Sequence, residues 1–228
     1  MVSGEEDVGG KVEQTAALIL VFETTKNYLP IMSELELLYY LPLSAVIICW
    51  FLFAAAFFFM KKPPKAKDQK RDNKAIIGII LEGIAYAIIW MFRRDTAYLV
   101  SVPGVTFDII IAAFTILLAI ASVWLILAAL KTLGKQWSVA ARVIEGHQLI
   151  TNGPYRLVRN PIYSGMFGML IATGLVYSRW DALLIAMAVF WYGTAIRVKA
   201  EEKLLRESFG ASFDEYARRV PPMIPNFF

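Results

Sequence analysis

The sequence has almost none of the residues from which metal sites and disulfide frameworks are built. It contains one cysteine, Cys49, and one histidine, His147, among 228 residues. A structural zinc site needs about four converging Cys or His ligands, and a disulfide framework needs several cysteines. Any G-x-G tripeptide is also missing, which excludes the glycine-rich loop that soluble enzymes use for dinucleotide-type cofactors. We therefore predict no metal site, and any cofactor pocket must be built differently.

Apolar residues, in contrast, are abundant. Hydrophobic residues make up 58% of the chain and aromatic residues 14%, and the mean hydropathy is +0.55. A water-soluble domain of this length cannot bury so much apolar surface, so the composition predicts an integral membrane protein. Five apolar segments are long enough, or nearly so, to cross a hydrocarbon layer of about 30 Å as helices. They span residues 37–60, 75–92, 105–130, 162–177 and 181–198.

These segments predict an all-α, polytopic fold with about five transmembrane helices. Only SRWD separates the last two segments, which favours a tight antiparallel helical hairpin over 162–198. Three regions follow along the chain. Residues 1–36 form an N-terminal arm with an interfacial helix at AALILVF, residues 37–130 hold three transmembrane helices, and residues 131–228 form the region where we expect the chemistry.

The distribution of basic residues predicts the orientation in the membrane. Loop 61–74 carries seven Lys or Arg and is cytoplasmic by the positive-inside rule. Alternate crossing then places 131–161 and 199–228 on the same side. With Arg197 counted at the end of the last segment, this side holds 18 of the 23 basic residues. The formal charge of +4 is thus explained by topology, and we expect membrane lipid, not nucleic acid, as a partner.

Polar residues concentrate where the predicted hairpin begins and ends. The entry holds HQLITNGPYRLVRNPIYSG, residues 147–165, and the exit holds Arg197, Glu201 and Glu202. A two-helix hairpin returns to its starting depth, so these two sets should be neighbours. Each feature also has a purely structural explanation. Arg197 and Glu201 form an i,i+4 surface pair worth under about 1 kcal/mol, and Asn160 before a proline is an ordinary helix start.

A carboxylate inside the second apolar segment, Glu82, is harder to interpret. Burying an acid in a transmembrane helix is expensive, so such a residue is by default a functional candidate. Its place about seven residues from the cytoplasmic end equally permits a structural hydrogen bond. The sequence leaves both interpretations open.

The ordered motifs LG..W (133–137), HQLITNGPY and VRNPIY, then R...EE..L...FG..F.EY..RVP after the hairpin, resemble the isoprenylcysteine carboxyl methyltransferase family and its prokaryotic relatives. That family belongs with the phospholipid methyltransferases in a wider superfamily. The resemblance covers about residues 131–225. It implies a multipass enzyme of a prokaryotic plasma membrane that uses S-adenosylmethionine, with its catalytic face in the cytoplasm.

The resemblance also implies roles for individual residues. Those expected to bind the cofactor are His147, Gln148, Leu149, Ile150, Tyr155, Asn160, Pro161, Ile162, Tyr163 and Glu201. Arg197 resembles the residue that meets the substrate, and Arg159 and Glu202 resemble groups needed for activity. The chain departs from the eukaryotic Arg-His-Pro, since Asn160 cannot titrate as histidine does, and this leaves the substrate open.

Three functions remain compatible with the sequence. The first is carboxyl O-methylation of an isoprenylated cysteine or a similar lipophilic acceptor, which requires orientation and water exclusion but no general base. The second is methylation of a phospholipid amine or a small thiol. The third is a non-catalytic membrane transport or assembly module, which would bind no cofactor.

Overall fold

A computed structural model describes most of the chain from residue 39 onwards. The described residues are 39–56, 58, 68–71, 74–94, 105–137, 142–144, 146 and 148–224. The predicted N-terminal arm 1–36, most of loop 61–74 and His147 lie outside them.

The architecture is helical, as predicted. The elements in chain order are α1 (Tyr39–Ala56), β1 (Asp68–Arg71), α2 (Ala75–Met91), α3 (Val105–Leu133), β2 (Arg142–Ile144), α4 (Pro161–Tyr177), α5 (Trp180–Phe209) and α6 (Ala211–Arg219). Helices α1 to α5 match the five apolar segments. Within the part of the chain that the structure describes, three stretches are long and apolar enough to cross a membrane, namely Tyr39–Ala56, Thr106–Leu133 and Trp180–Phe209. Helices α2 and α4 are apolar but have 17 residues each.

Helix α5 is longer than the segment 181–198 predicted for it. The apolar character stops near Val198, but the following EEKLLRES consists mostly of good helix formers, so the backbone continues as a helix. It ends at Gly210, whose φ of 53° is in the left-handed region that glycine tolerates. The helix therefore carries Glu201 and Glu202 on a rigid extension.

The helices pack in two main pairs, α2 with α5 and α3 with α4, and α4 also packs beside α5. Close backbone approach explains the α3–α4 contact. A Cβ on Gly165 would lie 2.8 Å from the Ser122 carbonyl oxygen, and one on Gly168 would also clash with Ser122. Small residues at helix crossings are typical of packing in membranes, where lipid removes the usual hydrophobic drive between helices.

The connections identify the two ends of the helical bundle. At one end, the backbone N–H of Arg94 donates to the Tyr177 carbonyl at 3.0 Å, and its guanidinium donates to the Ser178 carbonyl at 2.9 Å. A cation there satisfies carbonyls at the C-terminus of α4. At the other end, Ala75 at the start of α2 packs against Ala200 and Leu204 of α5. The entry to α4 and the second half of α5 share this second end.

A short antiparallel ribbon, which the sequence did not predict, joins the basic loop to the linker after α3. Strand β1 pairs with β2, with Lys70 opposite Val143 and Arg71 opposite Arg142. The loop between α1 and α2 and the linker between α3 and α4 therefore lie at the same end of the bundle.

Candidate active site

The entry to α4 is held by the segment that follows α6. The backbone N–H groups of Arg159 and Asn160 donate to the carbonyls of Pro221 and Pro222 at 2.8 and 2.9 Å. Asn160 occupies the N-cap position, but its side chain makes no capping hydrogen bond and instead donates to Pro222 at 3.0 Å. Ser164 donates to the Met223 carbonyl. The C-terminal segment thus runs along the predicted cofactor motif.

Arg159 connects this entry to α5 and α6. Its Nε and Nη2 both lie 2.8 Å from Oε1 of Glu202, and its Nη1 donates to the carbonyls of Ala217, at 2.8 Å, and Val220. The side chains of Arg159 and Glu202 are only 12% and 16% exposed. Arg159 and Glu202, both expected to support activity, therefore form one nearly buried ion pair. This geometry is better suited to holding the helices in position than to contacting the reacting atoms.

The two ends of the hairpin meet at Tyr163 and Glu201. The phenol of Tyr163, near the start of α4, donates a hydrogen bond to Oε1 of Glu201, 38 residues later. Tyr163 is buried, while the Glu201 side chain is 27% exposed. The polar residues at the entry and the exit of the hairpin, which the sequence predicts to be neighbours, are thus in direct contact.

Arg197 is enclosed by charged and aromatic groups. Its Nη1 donates to Oε2 of Glu82 at 2.8 Å, and its Nη2 lies 3.8 Å from Oε1 of Glu201. The guanidinium also lies 4.7 Å from the centre of the Tyr163 ring, a cation–π distance. The expected i,i+4 pair with Glu201 exists, but the closer partner is Glu82. Two carboxyl groups thus face one guanidinium, so acidic groups outnumber basic ones in this contact.

Two buried tyrosines, Tyr155 and Tyr216, contact each other at this end of the bundle. Tyr216 of α6 donates to the backbone carbonyl of Tyr155 at 2.7 Å. Burial raises the pKa of Tyr155, and the nearby negative charge of Glu201 raises it further. Burial likewise raises the pKa of Tyr216, to about 12. Both phenols are therefore neutral at physiological pH, and neither acts as a base there.

The remaining predicted residues lie at the linker and the first turn of α4. The backbone N–H of Gln148 donates to the Gln136 side chain at 2.6 Å, which places Gln148 near the end of α3. Leu149, Ile150 and Ile162 are half-buried, and Pro161 is buried. Among the described residues, no hydrogen bond or ion pair joins the 148–150 stretch to Glu201.

The chemistry of these groups fits a cationic cofactor that carries hydroxyl and ammonium donors. The partly exposed carboxylate of Glu201 can accept such hydrogen bonds, and the excess of acidic over basic groups suits a sulfonium. Glu82 also accepts a hydrogen bond from the Thr194 hydroxyl at 3.0 Å. Neither Glu82 nor Thr194 was assigned to the site from the sequence. A lone carboxylate in an apolar segment was the available signal for Glu82, whereas nothing in the sequence distinguished Thr194.

Comparison with known proteins agrees with this geometry. A family model described as Phospholipid methyltransferase matches residues 110–212, which include both the entry and the exit sets. Protein-S-isoprenylcysteine O-methyltransferase B of Arabidopsis thaliana is 29% identical over 149 residues, 64% of this chain and 76% of that protein. The chain is thus similar to the isoprenylcysteine carboxyl methyltransferases. The resemblance read from the motifs is thereby confirmed.

Other relatives match shorter stretches of the chain. The Schizosaccharomyces pombe protein-S-isoprenylcysteine O-methyltransferase is 33% identical over 87 residues, 38% of this chain and 37% of its own length. Nickel-cobalt-cadmium resistance protein NccN of Alcaligenes xylosoxydans xylosoxydans is 32% identical over 111 residues, 47% of this chain and 50% of its own. The chain thus spans about half of these two relatives or less, and the similarity to the methyltransferase family centres on the C-terminal half.

Proposed function

We propose that this chain is an S-adenosylmethionine-dependent membrane methyltransferase that methylates the carboxylate of an isoprenylated cysteine or a similar lipophilic acceptor. The observation that carries the proposal is the contact of Tyr163, Arg197 and Glu201, which unites both ends of the hairpin inside the region shared with methyltransferases. When bound, S-adenosylmethionine supplies an electrophilic methyl group on a sulfonium.

The residues divide the work between cofactor and acceptor. Glu201 would accept hydrogen bonds from the bound cofactor and offset its charge, with Tyr163 beside it. The family resemblance assigns Tyr155 and residues 147–150 and 160–162 to the same pocket. Arg197 orients the acceptor carboxylate, for which a guanidinium is well suited. Arg159 and Glu202 hold the surrounding segments. A carboxylate needs no general base, so orientation and exclusion of water are the main tasks.

We further propose five membrane spans with the site at the cytoplasmic end. Helices α2 and α4, at 17 residues, reach about 25 Å, near the lower limit for crossing. The β1–β2 ribbon supports this topology because it joins the basic loop to the α3–α4 linker. In cells carrying Cys49→Ser, an impermeant maleimide should label Arg179→Cys but reach Ser208→Cys only after lysis. The reverse pattern would invert the orientation.

The activity is tested with the full chain in lipid nanodiscs, with S-adenosylmethionine labelled in its methyl group and S-farnesylated N-acetylcysteine as acceptor. A carboxyl methyl ester releases labelled methanol in mild base, whereas methylated amines and thioethers do not. We expect base-labile label that depends on the acceptor. Label absent from every acceptor, with no thermal shift from S-adenosylhomocysteine, would favour the non-catalytic module.

A second acceptor class has support of its own. The matching family model is described as Phospholipid methyltransferase, so phosphatidylethanolamine belongs in the same assay. A small thiol, the other acceptor that the sequence leaves open, is tested beside it. Base-stable label in the lipid fraction or on the thiol would identify that alternative. A pH dependence tied to a base would favour the amine or the thiol over the carboxylate, since methylation of a protonated amine or thiol releases a proton.

A further inference from the structure

Helix α2 contains a single charged residue. Within Ala75–Met91, every residue except Glu82 is uncharged, and Glu82 is 3% exposed. An ionised carboxylate buried in this way costs several kcal/mol unless it is paired and hydrogen-bonded. Its partners therefore indicate why it is there.

Both oxygens of Glu82 are bonded to α5. Oε1 accepts from the Thr194 hydroxyl at 3.0 Å, and Oε2 accepts from Nη1 of Arg197 at 2.8 Å. Thr194 and Arg197 lie three residues apart and so share one face of α5. The carboxylate is held at two points, and it in turn fixes one edge of the guanidinium.

Helix α2 also lies directly against the aliphatic part of the Arg197 side chain. A Cβ on Gly78, one turn before Glu82, would lie 2.5 Å from the Gly193 carbonyl oxygen and 3.2 Å from Cδ of Arg197. On the facing helix, a Cβ on Gly193 would lie 2.8 Å from Cβ of Leu81. The absence of side chains at both glycines lets the helices approach closely enough for the short contact between Arg197 and Glu82.

The two carboxylates around Arg197 differ in their surroundings. The Glu82 side chain is 4% exposed and the Glu201 side chain 27%. Glu82 therefore binds the guanidinium on its buried side, whereas Glu201 and Tyr163 lie on its more exposed side.

We propose that Glu82 is the positioning residue of Arg197: its carboxylate, oriented by Thr194, holds the guanidinium in the direction in which it meets the methyl acceptor. This inference rests on the proposed function. It adds α2, which precedes the region shared with the methyltransferase family model, to the machinery that controls turnover. Without the Glu82 charge, Glu201 attracts the guanidinium away from that direction.

The test compares Glu82→Gln, Thr194→Val and the matched control Asp108→Asn in the nanodisc methyl-transfer assay. Asp108 is likewise a buried acid in an apolar helix, α3, and it interacts electrostatically with Arg94 at the opposite end of the bundle. Rates are expressed per folded enzyme, and the kcat, the acceptor KM, the S-adenosylmethionine KM and the melting temperature are all measured.

We expect Glu82→Gln to lower kcat by about 10- to 100-fold, the scale of a misplacement near 1 Å, with an S-adenosylmethionine KM within about threefold of wild type. Thr194→Val should lower kcat in the same direction by less, and Asp108→Asn should keep it. A merely structural Glu82 would lower the melting temperature and leave kcat per folded enzyme intact, and that result overturns the inference.

Two further outcomes are decisive. If Glu82→Gln does not fold, an unchanged kcat for Thr194→Val overturns the inference and a reduced one supports it. If the wild-type chain methylates none of the acceptors, the proposed function fails and the inference falls with it. Failure of the proposed function appears with the wild-type chain, whereas failure of the Glu82 inference alone appears only in the variants. The two failures are therefore distinguishable.

Discussion

Arg159 and Glu202, 43 residues apart in the chain, lie 2.8 Å from each other, and the same guanidinium also binds the carbonyls of Ala217 and Val220. One side chain thus joins the entry of α4, the extension of α5, the end of α6 and the segment after it. Loss of this contact should loosen this whole end of the helical bundle.

Arg159→Ala should therefore destabilise the protein by about 3 kcal/mol, because it leaves the Glu202 carboxylate nearly buried without its partner. Chemical unfolding in mild detergent, followed by tryptophan fluorescence, measures this. The control is Arg179→Ala, whose pair with Asp181 is 58% and 60% exposed and should change stability by less than about 1 kcal/mol. Equal effects of the two substitutions would contradict the structural role of Arg159.

Gly78→Ala should destabilise the α2–α5 packing by about 1–3 kcal/mol, since the new methyl group would overlap α5. Gly83 on the same helix offers a matched control, because a Cβ there meets nothing within 4 Å. Gly83→Ala should be neutral or stabilising by up to about 1 kcal/mol, as alanine is the better helix former. Melting temperatures of both variants in the same detergent decide the point, and a tolerant Gly78 would argue against the close helix approach.

Arg197→Lys should lower the methyl-transfer rate by about 100-fold while leaving S-adenosylhomocysteine affinity within about threefold. Lysine retains the charge beside Glu82 but loses the planar fork that orients a carboxylate. Single-turnover kinetics and isothermal titration measure the two quantities. An equal loss of rate and affinity would place Arg197 at the cofactor instead of the acceptor.

Glu201→Gln should weaken S-adenosylmethionine binding by about tenfold and S-adenosylhomocysteine binding by less. The reason is that S-adenosylmethionine carries a sulfonium charge that the Glu201 carboxylate offsets, whereas S-adenosylhomocysteine does not. Isothermal titration with both ligands makes the comparison. An identical loss for the two would mean that Glu201 acts through hydrogen bonds to groups that the ligands share.

The sequence alone located the apolar helices and one contact of the candidate site. Apolar run length placed α2 and α4 to within one residue at each end, and Pro161 marked where α4 begins. Hairpin geometry then required Tyr163 and Glu201 to be close, because two antiparallel helices return the chain to its starting depth. Run length, a proline and a short connection between two helices are local features of the chain, so the sequence shows them directly.

Only the tertiary structure decided which helix faces meet. Apolar residues occur all around α3 and α4, so no amphipathic stripe indicates a packing face. The pairing of Glu82 with Arg197 depends on the rotation and close approach of α2 and α5. The path of the C-terminal segment along Asn160 depends on the folding of α6. Such contacts between distant residues arise from mutual fit in three dimensions, which the order of residues does not display.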